Sequence, residues 1–366
     1  MERPASAAGA AALLREAAEE RRSVRIRGGG SKLAWAGARE PETWLSTAGL
    51  ARIREHNAGD LTAVLEGGVP LAEAQRAFAA AGQMLALDPP LGAGEAATIG
   101  GVLAEADAGP LRHRYGAARD LVLGVAVALA DGTVAKAGGK VIKNVAGYDL
   151  GKLFAGSRGT LGLLAEVVVR LHPIPPETLT VVARCADGPL LTRALVDLAA
   201  GPFELEAFDV RWENGRGALL LRVGGVAVGP RAGRIADAAR SAGLDAEVVA
   251  DDEGLWAEQR SRQRSDVGIV LRISALPTEL GRILALADTV GAGVVGRAAL
   301  GIFWLSLPAT ADALDEARQG LGPFPFVLLD GPQELRDGPW ELEDPVRRAL
   351  ETRIRARFDP EGILAA

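Results

Sequence analysis

No part of the chain constrains its fold more than the stretch from Gly138 to Pro173, GGKVIKNVAGYDLGKLFAGSRGTLGLLAEVVVRLHP. A glycine-rich basic segment opens it. Asp149 then stands where a helix N-cap is expected, because a short carboxylate can accept from the orphan N–H groups of a first turn. Leu150, Leu153 and Phe154 follow at one-face helical spacing, and Gly156 is a stop that tolerates positive φ. Gly159-Thr160-Leu161-Gly162 predicts a tight turn. Beyond it Leu163, Ala165, Val167, Val169 and Leu171 alternate with Leu164, Glu166, Val168, Arg170 and His172 until Pro173 ends the strand.

The chain holds 41 basic residues, of which only five are lysine, and four of these (Lys136, Lys140, Lys143 and Lys152) fall in or beside this stretch. An ammonium is a compact charge suited to a phosphate or a polarised carbonyl, whereas a guanidinium is a planar fork, so the local switch marks either a functional surface or a solvated face.

Upstream, a helix near Ala11 to Arg21 leads into a strand at Val24 to Ile26 and the loop Arg27-Gly28-Gly29-Gly30-Ser31-Lys32. Three glycines allow backbone N–H groups to converge on one phosphate oxygen. A Rossmann fingerprint fails here because Leu33 takes the third glycine position, and a P-loop fails because no G-K-[ST] follows a four-residue spacer. Strands are expected at Trp44 to Thr47 and Leu61 to Glu66, then a helix from Leu71 to Ala81, as in a βαβ unit. A long glycine-dense region follows, containing Asp88-Pro89, Thr98-Ile99-Gly100-Gly101, Ala108-Gly109 and Arg114-Tyr115-Gly116 before Asp120; such irregular segments inside compact domains are usually functional. Leu121 to Ala130 reads as a buried strand that Thr133 to Lys136 extends into a hairpin.

Pro173, Pro175 and Pro176 mark a domain boundary, giving domains at 1–173 and 174–366. Beyond it, strands near Phe203 to Asp209, Ala218 to Val223, Ala246 to Val249, Gly268 to Ile273, Val294, Ile302 to Leu305 and Phe326 to Leu329 intersperse with helices at Arg231 to Ala242, Thr278 to Ala287 and Thr310 to Gly320. That pattern implies an antiparallel sheet backed by helices, an α+β cap. From Pro345 a last helix places Val346, Leu350, Ile354 and Phe358 on one face, expected to pack back on the first domain.

Taken together, these glycine-rich segments in this order resemble the flavin-binding half of the vanillyl-alcohol oxidase (PCMH-type) flavoproteins. KNVAGYDLGKLFAGSRGTLG is similar, within that superfamily, to the FAD-binding E subunits of bacterial glycolate oxidases; the likeness covers residues 20–175 well and the rest more loosely. It implies an α+β fold, a PCMH-type FAD-binding domain of two α+β subdomains followed by the cap. It also implies FAD contacts at Arg27, Gly28, Gly29, Gly30, Ser31, Lys32, Asp88, Pro89, Thr98, Ile99, Gly100, Gly101, Ala108, Gly109, Arg114, Tyr115, Gly116, Asp120, Gly147, Gly159, Glu166 and Val167. Read from the residues alone, Glu166 is an outward strand position. No histidine occurs in the GGGSK loop, where many relatives attach the flavin, so the FAD is expected to be non-covalent.

One cysteine, Cys185, cannot hold an iron-sulfur cluster or a disulfide framework, and a net charge of −6 argues against nucleic acid as a partner. The N-terminus lacks a signal-type apolar run, and no stretch is long enough to span a bilayer, so the expectation is cytoplasmic, with peripheral attachment to the inner membrane through partners left open. The histidines (His56, in a polar turn, His113 and His172) are scattered, and no metal cluster is legible. Candidate catalytic groups are Lys143, Asn144, Tyr148 and His113, each of which also has an ordinary loop reading. The resemblance implies a glycolate oxidase complex with a catalytic FAD-containing D-type subunit and an iron-sulfur F-type subunit, acting on a small 2-hydroxy acid. A stand-alone hydroxy-acid oxidoreductase and a structural subunit with a redox-silent FAD stay open beside it. The family's closing Asn-Pro is absent here, where Asp359-Pro360-Glu361-Gly362-Ile363-Leu364 runs into Ala365-Ala366, so contacts made by that pair are in doubt.

Overall fold

The computed structural model describes residues 1–35, 40–140, 149–322, 324–335 and 345–364. Lys143, Asn144, Gly147 and Tyr148 lie outside them. The chain divides into two compact units: Met1–Ala108 with Gly116–Ile174 and Glu343–Ala366, and Gly109–Tyr115 with Pro175–Leu342.

In the first unit, strands Val24–Arg27 and Thr43–Ser46 pair in parallel, and a five-stranded antiparallel sheet runs Ile53–Asn57, Thr62–Glu66, Leu163–Arg170, Val122–Ala128, Val134–Gly138. The alternation in the organising stretch thus lands on a central strand with neighbours on both sides. The βαβ expectation gives way to a hairpin. Ile53–Asn57 is a strand paired antiparallel with Thr62–Glu66, and His56, expected in a turn, sits on it with its Nε2 2.9 Å from Gln83 Oε1. A polar sequence, IREHN, hides this edge strand because only one of its faces needs apolar cover.

Helix Ala7–Glu19, capped by Ser6 Oγ accepting from Gly9 N, packs Ala10, Leu14 and Ala17 with Val24, Leu45 and Leu163. The C-terminal segment closes the same core. Val24 N donates to Ile363 O at 2.7 Å, and the buried Asp359 carboxylate accepts from Ile363 N at 3.0 Å and Leu364 N at 2.7 Å. Helix Pro345–Phe358 meets this unit through Phe358, whose ring lies edge-on to Phe154 at 5.5 Å, but Val346 and Leu350 are exposed, so only the lower half of the expected apolar face is used. Asp149 does stand at a helix start, but its side chain pairs with Lys152 at 3.0 Å rather than capping.

In the second unit, eight antiparallel strands form one sheet in the order Asp245–Val249, Thr178–Cys185, Arg216–Gly224, Ala207–Glu213, Gly293–Arg297, Ile302–Leu307, Ile269–Ser274, Phe326–Asp330. Helices Gly188–Ala199, Val228–Ser241, Leu280–Thr289 and Ala311–Leu321 cover one face and enclose the main core. Thr178–Cys185 and the helix after it begin this unit, although turn residues around them mask their pattern in the sequence. Helix Glu253–Ser261 lies on the other face: Trp256 Nε1 donates to Thr180 Oγ1, which donates to Asp252, and Arg222 grips Asp252 with two nitrogens. Beside it Asp209 and Arg297 form a fully buried pair at 2.5 Å; burial pushes the Asp209 carboxyl up to about 6, with Arg297 pulling against it.

Removing the Asp359 carboxylate strands two buried N–H groups of the C-terminal tail, so Asp359→Ala should lower unfolding free energy by about 2–4 kcal/mol, read by urea denaturation at neutral pH.

Candidate functional site

The GGGSK loop, the Thr98 turn and the Arg158 turn converge in the first unit on one open cleft. Its lining includes Gly28, Gly29, Gly30, Ser31, Lys32, Thr98, Gly100, Gly101 and Gly159. Close backbone approach explains the glycines. A Cβ on Gly29 would fall 1.5 Å from Ala96 O, and one on Gly100 would fall 2.7 Å from Gly67 O. Thr98 caps the short helix Ile99–Ala104, its Oγ1 accepting from Gly101 N at 3.3 Å.

Other expected contacts lie around the cleft rather than in its lining. Ile99 and Val167 are buried at 0 % exposure, Pro89 is buried, and Ala108 is at 5 %. Asp88 and Glu166 are half-buried, the latter paired across strands with Glu66. The Arg27 guanidinium lies over Gly30. Asp120 accepts from Ala117 N at 2.8 Å and holds the turn that begins at Gly116, φ +85.

Gly109, Arg114 and Tyr115 belong with the second unit. There Tyr115 Oη donates to Glu206 Oε2 at 2.7 Å and Arg114 Nε lies 3.3 Å from Glu206 Oε1. Burial, reinforced by the Glu206 hydrogen bond, raises the Tyr115 phenol well above its usual range, so it stays protonated. His113 packs edge-on to Phe208 at 6.1 Å, and burial lowers its pKa. It is therefore neutral at pH 7.

The lining also includes Arg25, Thr47, Ala104, Glu105, Arg158, Gly162 and Leu164, which were not among the expected cofactor contacts. Arg158 sits inside GSRGTLG between Ser157 and Gly159, so an arginine within a glycine turn was the available signal. Lys32 is not the exposed cation its loop implies: it is 7 % exposed, its Nζ is 3.2 Å from Asp107 Oδ2, and it donates to Pro90 O at 3.4 Å. Among the described residues no histidine, cysteine or tyrosine lines the cleft, and no cluster of metal-ligating side chains occurs. Exposed backbone, hydroxyls and guanidinium groups fit a phosphorylated dinucleotide, whose diphosphate needs donors and close approach.

Two outcomes test this geometry. Removing one partner of a buried ion pair leaves a charge unpaired, so Lys32→Met should destabilise the apo-protein by about 3–5 kcal/mol, and Lys32→Met with Asp107→Leu should recover much of that loss in chemical denaturation. Because folding depresses the His113 pKa, the unfolded chain binds the proton more readily, and stability drops as pH falls below the ordinary histidine value. His113→Phe should flatten that slope in melts from pH 7.5 to 5.

Residues 2–138 match the family model for the FAD binding domain, and the chain binds FAD. The chain is 37 % identical over 161 residues to glycolate oxidase subunit GlcD of Bacillus subtilis, and 45 % identical over 113 residues to glycolate oxidase subunit GlcE of Escherichia coli. These matches cover 43 % and 31 % of this chain but only 34 % and 32 % of those proteins, so the chain spans about a third of the length of these two relatives. An FAD-linked oxidoreductase of Mycobacterium tuberculosis is 28 % identical over 99 % of this chain and 88 % of its own length. In structure the chain is similar to an alkyldihydroxyacetonephosphate synthase, with a TM-score of 0.75 and 14 % identity over 99 % of this chain and 74 % of that one; at that identity the likeness shows a shared fold.

Proposed function

We propose that this chain is the FAD-holding subunit of a 2-hydroxy-acid oxidoreductase of glycolate oxidase type. It takes part in converting glycolate to glyoxylate, with electrons passing to partner chains. The observation that carries the reading is the glycine-walled cleft, most of whose lining falls within residues 2–138, which match an FAD binding domain, with Arg158, Gly159, Gly162 and Leu164 completing it. Support for the subunit role comes from the 45 % identity to subunit GlcE and from the single cysteine, which leaves an iron-sulfur cluster to another chain. The partners proposed are a catalytic FAD-containing D-type subunit and an iron-sulfur F-type subunit.

The flavin, when bound, accepts the electrons; the protein supplies binding, orientation and electrostatics. Gly28, Gly29, Gly30, Ser31, Thr98, Gly101 and Gly159, which share the lining of the cleft, would hold the diphosphate through backbone and hydroxyl donors. With no histidine in that lining, the cofactor is held non-covalently. Lys143, Asn144, Tyr148 and His113 are kept as candidate catalytic groups from the sequence. Among the described residues no helix is long and apolar enough to cross a membrane, and the proposal places the chain in the cytoplasm, on the inner membrane only through its partners.

Absorbance spectra of the purified chain before and after acid precipitation, followed by anaerobic glycolate, test the reading. The expected result is a flavin spectrum released into the acid supernatant and not bleached by glycolate until the partner chains are added. Bleaching of the chain alone would make it a self-sufficient dehydrogenase; a flavin no substrate reduces even in the complex would make it structural.

A further inference from the structure

Four ionisable side chains line the cleft: Arg25, Lys32, Glu105 and Arg158. The sequence points to Lys32 as the phosphate ligand. The structure gives its ammonium other work, since both it and Asp107 are buried and Nζ also faces the Pro90 carbonyl. An ammonium already neutralised by a buried carboxylate adds little attraction for an anion in the cleft.

Arg158 is in the opposite situation. Its side chain is 33 % exposed, and its nearest acid is Glu105, with Nε 3.7 Å from Oε2. That separation is an ion pair beyond hydrogen-bond reach. Among the described residues its guanidinium makes no hydrogen bond, so its forked donors are available to a ligand.

The backbone of Arg158 points the same way. Its φ is +54, a left-handed conformation between Ser157 and Gly159, whose own φ is +78. A non-glycine residue there costs about 1 kcal/mol, which glycine would avoid. Its N–H is tied to Ala104 O at 2.8 Å, fixing the residue beside the short helix that carries Gly100 and Gly101. A strained position in a glycine turn thus carries a long cation with no hydrogen bond to its guanidinium among the described residues.

Resting on the FAD reading above, we propose that Arg158 is the side chain that grips the cofactor's diphosphate, with Glu105 as its resting counter-ion, and that Lys32 is a structural cation of the loop. A planar guanidinium reaches two phosphate oxygens at once, and the diphosphate is the doubly anionic part of this ligand. On binding, Arg158 exchanges the loose Glu105 contact for charge-assisted hydrogen bonds.

Arg158→Gly is the diagnostic variant, because it removes the charge and relieves the strained φ together. FAD is titrated into apo-protein by flavin fluorescence at several salt concentrations, ADP serves as the competitor, and apo-protein melting is recorded beside it. The expected result is a dissociation constant for FAD raised about tenfold or more, from loss of charge-assisted hydrogen bonds. Its salt dependence is flatter, ADP competition is weaker, the apo melting temperature is equal to or above wild type, and Arg158→Lys recovers part of the affinity. Wild-type FAD affinity in Arg158→Gly, or a fall in apo stability that accounts for the lost affinity, overturns the proposal while the FAD reading stands. A wild-type chain that takes up no FAD overturns both.

Discussion

Backbone resting on backbone is the contact from which the cofactor unit follows. A Cβ on Gly67 would fall 1.9 Å from Leu164 O, and one on Gly68 would fall 2.0 Å from Thr47 O, both acceptors belonging to residues that line the cleft. With Gly29 against Ala96 and Gly100 against Gly67, segments far apart in sequence meet with no side chain between them. Only glycine permits this. The sheet gains a surface made of peptide groups, which can approach a phosphorylated ligand more closely than any side-chain wall would allow.

That constraint explains how much could be read beforehand. Glycines spaced through Gly28–Gly30, Gly100–Gly101 and Gly159–Gly162 are visible in any sequence, and so is the alternation of Leu163–Arg170, because a strand with one deeply buried face must show it. Strand Ile53–Asn57 was not legible, since an edge strand with polar neighbours needs little apolar character, and helix Pro345–Phe358 looked more buried than it is because periodicity reports an apolar face and not what covers it. Lys32 was expected among the cofactor contacts and Arg158 was not singled out, for the same reason. Sequence shows that a charge exists, while only the fold shows that Lys32 meets Asp107 in the interior and that Arg158 is left to the cleft.

Charge in this chain is handled almost wholly by arginine, and the second unit shows why that is workable. Its sheet face away from the main core carries Arg222 on Asp252, Arg297 on Asp209 and Arg264 on Asp330, each pair with a buried carboxylate. A guanidinium is weakly hydrated and flat, so it can be drawn beneath a helix and stack on Trp256 or Trp304 in a way an ammonium cannot. Glu206 follows the same pattern at the start of strand Ala207–Glu213, its buried carboxylate satisfied by Arg114 and the protonated Tyr115.

Those last two partners come from Gly109–Tyr115, a segment flanked on both sides by residues of the other unit. The chain therefore does not pass from one unit to the next at a single boundary: the seven residues Gly109–Tyr115 join the second unit ahead of Pro175–Leu342, and the chain returns to the first unit at Glu343. A gene rearrangement that exchanged Pro175–Leu342 for a different cap would leave Gly109–Tyr115 behind, still shaped for Glu206 and Phe208. Caps on this scaffold would then diverge by substitution in place more readily than by wholesale replacement, with changes at Glu206 or Phe208 matched at Arg114, Tyr115 or His113.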